Sequence, residues 1–488
     1  MIIKEKSIGK KVLFVVILII LIALAILPII LREQSETEQE IDNLLYSLKP
    51  TSDSPEEFTL PVVVIDTNGQ KLDETVEKED KELNDQNVQI YKSSPRYKAN
   101  FKLYNPKKPE KAEIDEKIEL SLRGQSSLSK PKKQYYISFE NEQEEEKKVG
   151  ILGMPEHSKW IINGAYMDKS LIRNYLAYTL AAQVMDYAPR VKFVEVFVKT
   201  DNEELSYDKH YAGVYLIVEK IERDENRINI RKADERYKDV SFIIARDKIK
   251  SNDRVYDTYW EELQEDYIMG NDGIIRMRSV IKNIYPGNSA ISEEYLTKVK
   301  QYINEFEGVL YSSEYKTSDK GYRNYIDVNS FIDMAMINEI FKNIDGCEVS
   351  TYFYKDIGGK LTSGPIWDFD LTLGNTTNEE VNEATGFRMV DTIWFNRLFQ
   401  DSYFCDLYEQ RYKELRTDIY TEENFNKIID DAIVLLGGAT KRNMERWYHN
   451  SQISYEDEIN NIKKFIHTRL NWMDENIKAI QRYEEILE

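Results

Sequence analysis

Gly364-Pro365-Ile366-Trp367-Asp368-Phe369-Asp370-Leu371-Thr372-Leu373-Gly374 is the stretch around which the chain is organised. In an extended segment side chains repeat every two residues, so Asp368 and Asp370 point to one side. Trp367 and Phe369 then point to the other, into apolar packing. Two neighbouring carboxylates repel, and a shared cation is the usual resolution. The flanking glycines and Pro365 mark a loop that brings backbone close to a ligand. Upstream, Asn343-Ile344-Asp345 closes a long helical pattern, and Ser350–Lys355 alternates as a strand does. Acidic pairs in loops are more often surface carboxylates than metal ligands. Here the aromatic neighbours shift that balance, because they anchor the pair at the edge of a core.

The chain has 488 residues, 41% of them hydrophobic and 31% charged, with a formal net charge of −20. That composition suits a globular body with a real core, in one large domain or two to three ordinary ones. Lys4, Glu5, Lys6, Lys10 and Lys11 give the first eleven residues a net +3, leaving −23 for the rest. With no basic excess to neutralise phosphates, a nucleic-acid partner is excluded. Cys347 and Cys405 are the only cysteines, and there are four histidines. Neither a disulfide framework nor a zinc-ligand pattern is present.

Residues 12–31 carry no charge and are long enough to span a bilayer as a helix. Lys10 and Lys11 before them place the N-terminus in the cytoplasm. An uncleaved anchor is favoured over a signal peptide, because no small-x-small cleavage site follows. Residues 32–58 read as a juxtamembrane stalk. Strands are expected at Leu60–Ile65, around Ile118, Leu120 and Leu122, around Tyr135, Ile137 and Phe139, at Trp160–Ile162, Val191–Lys199 and Tyr211–Glu219. The loop from Gly124 to Lys133 has Arg123 at its start and Lys132 and Lys133 at its end. It can cradle phosphates, although Ser- and Lys-rich hairpin loops are usually solvated turns. Helices are expected at Leu171–Met185, 292–311 and Asp327–Lys342, then at Asp391–Phe399 and in several segments between 403 and 485. Glu339 falls on the apolar stripe of the third of these, where it either reaches water at the stripe's end or is buried with a partner. The first half is thus β-rich and the second α-rich.

Several pieces resemble, in order, the CotH family of spore-coat-type atypical protein kinases. They are Arg123-Gly124-Gln125-Ser126-Ser127 with Lys132-Lys133-Gln134-Tyr135, Asp168 to Asn174, Gly213 to Glu219, Tyr285-Pro286, Asn343 to Asp345 with Tyr352 to Tyr354, and Pro365 to Asp370. The resemblance implies an α+β, divergent protein-kinase-like two-lobed fold. Residues 59–235 would be a β-rich nucleotide-binding lobe and 236–488 an α-rich catalytic lobe, preceded by one transmembrane helix. It also implies use of ATP with Mg²⁺ or Mn²⁺ to phosphorylate Ser or Thr of a protein.

In that reading Asp345 is the catalytic Asp that takes the proton of the acceptor hydroxyl. Asp368 and Asp370 hold the metal, and Ser350 stands where ordinary kinases place an Asn ligand. Arg123, Ser126, Ser127 and either Lys133 or Lys132 meet the phosphates, while Glu219 borders the adenine at the lobe hinge. No Glu is evident to pair with Lys133. The expected location is the cell membrane, single-pass, with the catalytic part outside the cytoplasm. The substrate would be basic, matching the −23 body. Two other functions compete: a non-catalytic surface scaffold, and transfer of AMP with the nucleotide reversed. A carboxylate-based glycosidase is disfavoured, because Asp residues at i and i+2 of a strand do not flank a sugar bond from opposite sides.

Overall fold

The computed structural model describes residues 58–484 apart from 76–77, 84–85, 109–110, 125, 257, 259–266, 270–274, 278, 288–291 and 377. Seven strands close into a barrel: β1 (Val62–Asp66), β2 (Arg96–Tyr104), β3 (Ile114–Arg123), β4 (Gln134–Glu140), β5 (Lys159–Asn163), β6 (Val191–Lys199) and β7 (Tyr211–Glu219). Their spatial order is β1-β2-β3-β4-β5-β7-β6, and closure comes from parallel pairing of β6 with β1, Glu195 opposite Val62. Alternation explains the filling. Ile65, Phe101, Leu120, Ile137, Trp160, Val194 and Ile217 all join one buried cluster, as expected of a barrel too narrow to enclose solvent. Burying each such side chain contributes about 1.5–3 kcal/mol.

The outer face of the barrel is also covered. Ile161 on β5 and Val214, Leu216 and Val218 on β7 belong to the large core shared with the helices. That is why β7 is buried at every position, and why its sequence is nearly all apolar. Helix α1 (Arg173–Ala181) contributes Leu176, Ala177 and Leu180 to the same core.

A second, five-stranded sheet carries β8 (Phe242–Asp247), β9 (Val280–Tyr285), β10 (Thr351–Lys355) and β11 (Thr362–Ser363), in the order Val255–Tyr256, β9, β8, β10, β11. A four-stranded sheet pairs Lys78–Leu83 and Gln86–Tyr91 with Ile275–Met277 and Tyr267–Met269. The longer helices that follow are α2 (Glu293–Leu310), α3 (Val328–Phe341), α4 (Ser402–Leu415), α5 (Glu422–Leu436), α6 (Ala439–Trp447) and α7 (Tyr455–Asn476). Asp327 caps α3 by accepting the Asn329 and Ser330 N–H groups, and Lys342, at φ 45°, ends it in the left-handed conformation. Gly213 lets α6 approach β7. A Cβ there would fall 2.6 Å from Asn443 Oδ1 and 2.8 Å from Trp447 Nε1.

Two expectations are corrected. The first concerns the fold. A closed barrel joined to a sheet and helices replaces the kinase-like two-lobed fold. Strand alternation says which face is buried but not which distant strand is the partner, so closure of β1 on β6 left no local mark. The half described as α-rich also contributes the five-stranded sheet, and the largest core takes residues from both sides of position 235. The second concerns the membrane. Among the described residues no helix is long and apolar enough to cross one. The 12–31 segment, the tail before it and all of the stalk except Phe58 lie outside the described residues. The single-pass, outward-facing location therefore has no spanning helix to rest on and is withdrawn.

Candidate active site

Asp345, Asp368 and Asp370 line one cleft of about 330 Å³, together with Ser350, Arg123, Gly124 and Ser127. Three regions of the chain meet there. The barrel gives the end of β3, the five-stranded sheet gives the ends of β8 and β10, and the third wall is the loop from Gly364 to Gly374.

That loop is pinned from behind by α1. Asn174 Oδ1 accepts the Phe369 N–H at 2.7 Å, and Tyr178 Oη accepts the Asp368 N–H at 3.2 Å. Arg173 is buried. Its Nη1 lies 2.7 Å from Asp168 Oδ1, and its Nε donates to the Thr372 carbonyl at 2.9 Å. Phe369 packs edge-on against Phe341, and Trp367 stacks on Tyr178 with Arg123 above it at 5.2 Å. The loop is not a simple strand: Asp368 has φ 63°, so the alternation expected of an extended segment breaks there. Asp368 and Asp370 still share the cleft, but Trp367 lines it as well.

Asp345 sits on the turn after α3. Its own N–H donates to Asn343 Oδ1 at 3.1 Å, and its carbonyl accepts the N–H groups of Glu348 and Val349 at 3.1 and 2.9 Å. Burial, then Asp368, Asp247 and Glu348, push its carboxyl up to about 6, against the pull of Lys248. Burial raises Asp368 too, although Arg123 opposes it. Asp370 is held well above the usual carboxylate range by burial and by Asp368, Asp168 and Asp345. Mutual repulsion of this kind is relieved by a cation.

The cleft holds cations that the sequence reading missed. Lys130, Lys248, Lys250 and Lys282 line it beside Arg123, as do Asp247 and Asp253. Lys282 Nζ lies 2.8 Å from Asp247 and 3.3 Å from Asp253. Burial acts to lower Lys282, but those two carboxylates outweigh it and hold the ammonium above its ordinary value. Lys250 differs: burial, then Arg123 and Lys282, push it down to about 8. No strand is expected from the sequence between Glu219 and residue 292. The available signal was the apolar run Phe242–Ala245 ending in Arg246-Asp247-Lys248, a strand that delivers charge at its tip.

Of the other expected residues, one lines the cleft and three do not. Ser127 is in the cleft wall on a short 3-10 turn, Ser126–Ser129. Gly124 (φ 100°) is needed to form that turn, since a Cβ would sit 1.8 Å from Ser127 Oγ. The Ser126 side chain falls outside the described set. Lys132 is buried between barrel and α6. It donates to the Val214 carbonyl at 2.5 Å and to Asn443 Oδ1 at 3.1 Å, with the Tyr215 ring 4.7 Å away. Burial pushes it down to about 7 against the pull of Asp168. Lys133 Nζ donates to the Leu128 carbonyl at 2.8 Å and lies 3.3 Å from Glu74. Glu219, fully buried, receives Arg190 Nη1 at 2.8 Å and the Tyr187 hydroxyl at 3.2 Å. None of these three lines the cleft.

Among the described residues no three His, Cys, Asp or Glu side chains converge as a ready-made metal cage. Asp368 and Asp370 are nevertheless a hard-oxygen pair whose repulsion a cation would relieve. Mg²⁺ is typically held by one or two carboxylates plus water and substrate phosphates, so the donor set fits that ion.

The cleft thus sets clustered carboxylates opposite clustered cations at the junction of a barrel and a sheet. The family described as CotH kinase protein matches residues 120–473, and the chain belongs to that family. No curated protein matches the chain.

Proposed function

We propose that the protein transfers the γ-phosphate of ATP to a Ser or Thr hydroxyl of a protein substrate, with Mg²⁺ or Mn²⁺. The observation that supports it is the pairing, in one cleft, of Asp345, Asp368 and Asp370 with Arg123, Lys130, Lys248, Lys250 and Lys282. Phosphoryl transfer needs positioning and charge neutralisation more than covalent help. Asp368 and Asp370 would hold the divalent ion, which supplies charge neutralisation between the phosphates. Arg123 and Lys250 face the phosphate oxygens, and Ser127 closes the wall beside them. Ser350, at φ 53° in the same wall, is the third candidate for the metal's surroundings. Asp345 takes the proton of the acceptor hydroxyl as its oxygen bonds to the γ-phosphorus and the bond to the β,γ-bridging oxygen breaks, leaving ADP. A base whose carboxyl sits at about 6 is suited to that work near neutral pH. The acidic body favours a basic protein partner, and residues 59–235 and 236–488 remain the proposed division of the chain.

Phosphotransfer from ATP to Ser-containing peptides, with the intact mass of the product, tests the proposal. A phosphoryl adduct that requires divalent metal is expected. An adenylyl adduct would move the assignment to AMP transfer, and failure to bind ATP would leave a scaffold.

A further inference from the structure

A chain of buried contacts runs from α7 to the turn that carries Asp345. Arg469 on α7 and Glu339 on α3 are both fully buried and form an ion pair. Arg469 Nη1 also donates to the Gly386 and Ala384 carbonyls at 2.7 and 3.1 Å. The Glu339 carboxylate then accepts the backbone N–H of Arg388 at 2.9 Å and that of Met389 at 2.7 Å. These bonds fix segment 384–389 against two helices. From that fixed point the Arg388 side chain reaches forward. Its Nη2 donates to the Ile344 carbonyl at 3.0 Å and lies 3.2 Å from the Glu348 carboxylate. The two contacts bracket Asp345 in the chain, and Arg388 itself does not line the cleft.

The turn needs such support. Lys342, Cys347 and Ser350 all have left-handed φ values, 45°, 60° and 53°. Non-glycine residues keep that conformation only when their surroundings over-determine it. Helix α3 holds the turn at one end and β10 at the other. Arg388 ties its middle together from outside the turn, beside the Asn343 side chain within it, and a planar guanidinium can serve a carbonyl and a carboxylate at once.

We propose that Arg388 is a positioning residue for Asp345, with Glu339 and Arg469 holding Arg388 in register. The inference rests on Asp345 as the proton acceptor of the proposed reaction. Arg388 contacts Ile344 and Glu348 but neither Asp368 and Asp370 nor the cleft's lysines, so its loss acts on the turn and leaves the two metal-side carboxylates and the phosphate-side cations in place. Its signature is therefore a fall in turnover with ATP binding intact.

The test uses the full chain and the variants Arg388→Ala, Arg388→Lys and Asp345→Asn, measuring kcat with a Ser peptide, KM for ATP and Tm. Misplacing a reacting group slightly is costly, so Arg388→Ala should lower kcat by about tenfold or more while KM for ATP stays near that of the wild type. Arg388→Lys keeps the charge but not the fork, and should fall between the two. A folded Arg388→Ala with wild-type kcat, beside an inactive Asp345→Asn, overturns the positioning role alone. So does a parallel loss of kcat, ATP affinity and Tm, which is general loosening. If Arg388→Ala does not fold, Arg388→Lys decides: an unchanged kcat overturns the proposal. If Asp345→Asn turns over like the wild type, the reading of Asp345 fails and the role of Arg388 falls with it.

Discussion

The side-chain oxygen of Asn174 accepts the backbone N–H of Phe369 at 2.7 Å, so a helix on the barrel's outer face sets where the two flanking carboxylates stand. Replacing Asn174 with Ala leaves that buried N–H without a partner, a loss of about 1–3 kcal/mol. The expected outcome is a lowered Tm together with weaker binding of metal-ATP, read by calorimetry. Asn174→Ala with wild-type affinity would mean that Phe369 is held adequately by packing on Phe341.

Roles within the acidic group separate by mutation. Asp345→Asn should abolish transfer and leave metal-ATP binding largely intact. Asp370→Asn and Asp368→Asn should instead weaken metal-dependent binding, since a neutral amide does not offset the ion's charge. Chelation should stop transfer in the wild type, and Mg²⁺ or Mn²⁺ should restore it. Calorimetry beside a phosphotransfer assay reads all of these. Near-normal turnover of Asp345→Asn would remove its assignment as base.

Lys250 is a cation crowded by cations, pushed down to about 8, and an anion in the cleft should relieve it. Lys250→Met should raise KM for ATP by about tenfold, the scale of a charge-assisted hydrogen bond. Lys282, already paired with Asp247 and Asp253, should matter less to ATP and more to stability. Steady-state kinetics beside denaturant melts of both variants check the contrast.

His157 makes folding acid-sensitive. Burial and then Arg227 push its ring down to about 4 from 6.5, against the pull of Glu222 and Asp224. Its Nδ1 accepts the Lys159 N–H at 3.0 Å, which requires that nitrogen unprotonated. Between those two values the unfolded chain binds the extra proton, so stability rises with pH there and is lost as pH falls toward 4. The loss should be roughly 2–3 kcal/mol. Denaturant midpoints across that range should show it, and His157→Gln should flatten it.

Asp345, Asp368 and Asp370 were legible because each is fixed by local pattern: a helix end, or a loop flanked by aromatics. Arg123 and Ser127 line the same cleft; a small-residue loop after a strand marked them, and their expected role came from the family resemblance. Lys250 and Lys282 were not, since one follows the end of β8 and the other lies on β9, and the pairing of those strands is decided elsewhere in the chain. Lys132 and Lys133 stood as alternative phosphate contacts, and neither lines the cleft. Glu339 was undecided between water and a buried partner. The answer, Arg469, stands 130 residues away in sequence. Strands β6 and β7 were read at their observed limits, yet the barrel that they close was invisible. Periodicity encodes burial, and closure is a property of distant partners.

Helix α7 touches three supports of the cleft: Glu458 lies 3.5 Å from Arg173, Phe465 packs where Gly374 leaves room, and Arg469 meets Glu339. During synthesis the barrel strands leave the ribosome long before this helix does. The frame around the acidic loop and the Asp345 turn therefore stays incomplete until residue 469 has emerged. A nascent chain arrested before that point would carry every cleft residue and still lack the strut that sets them in place.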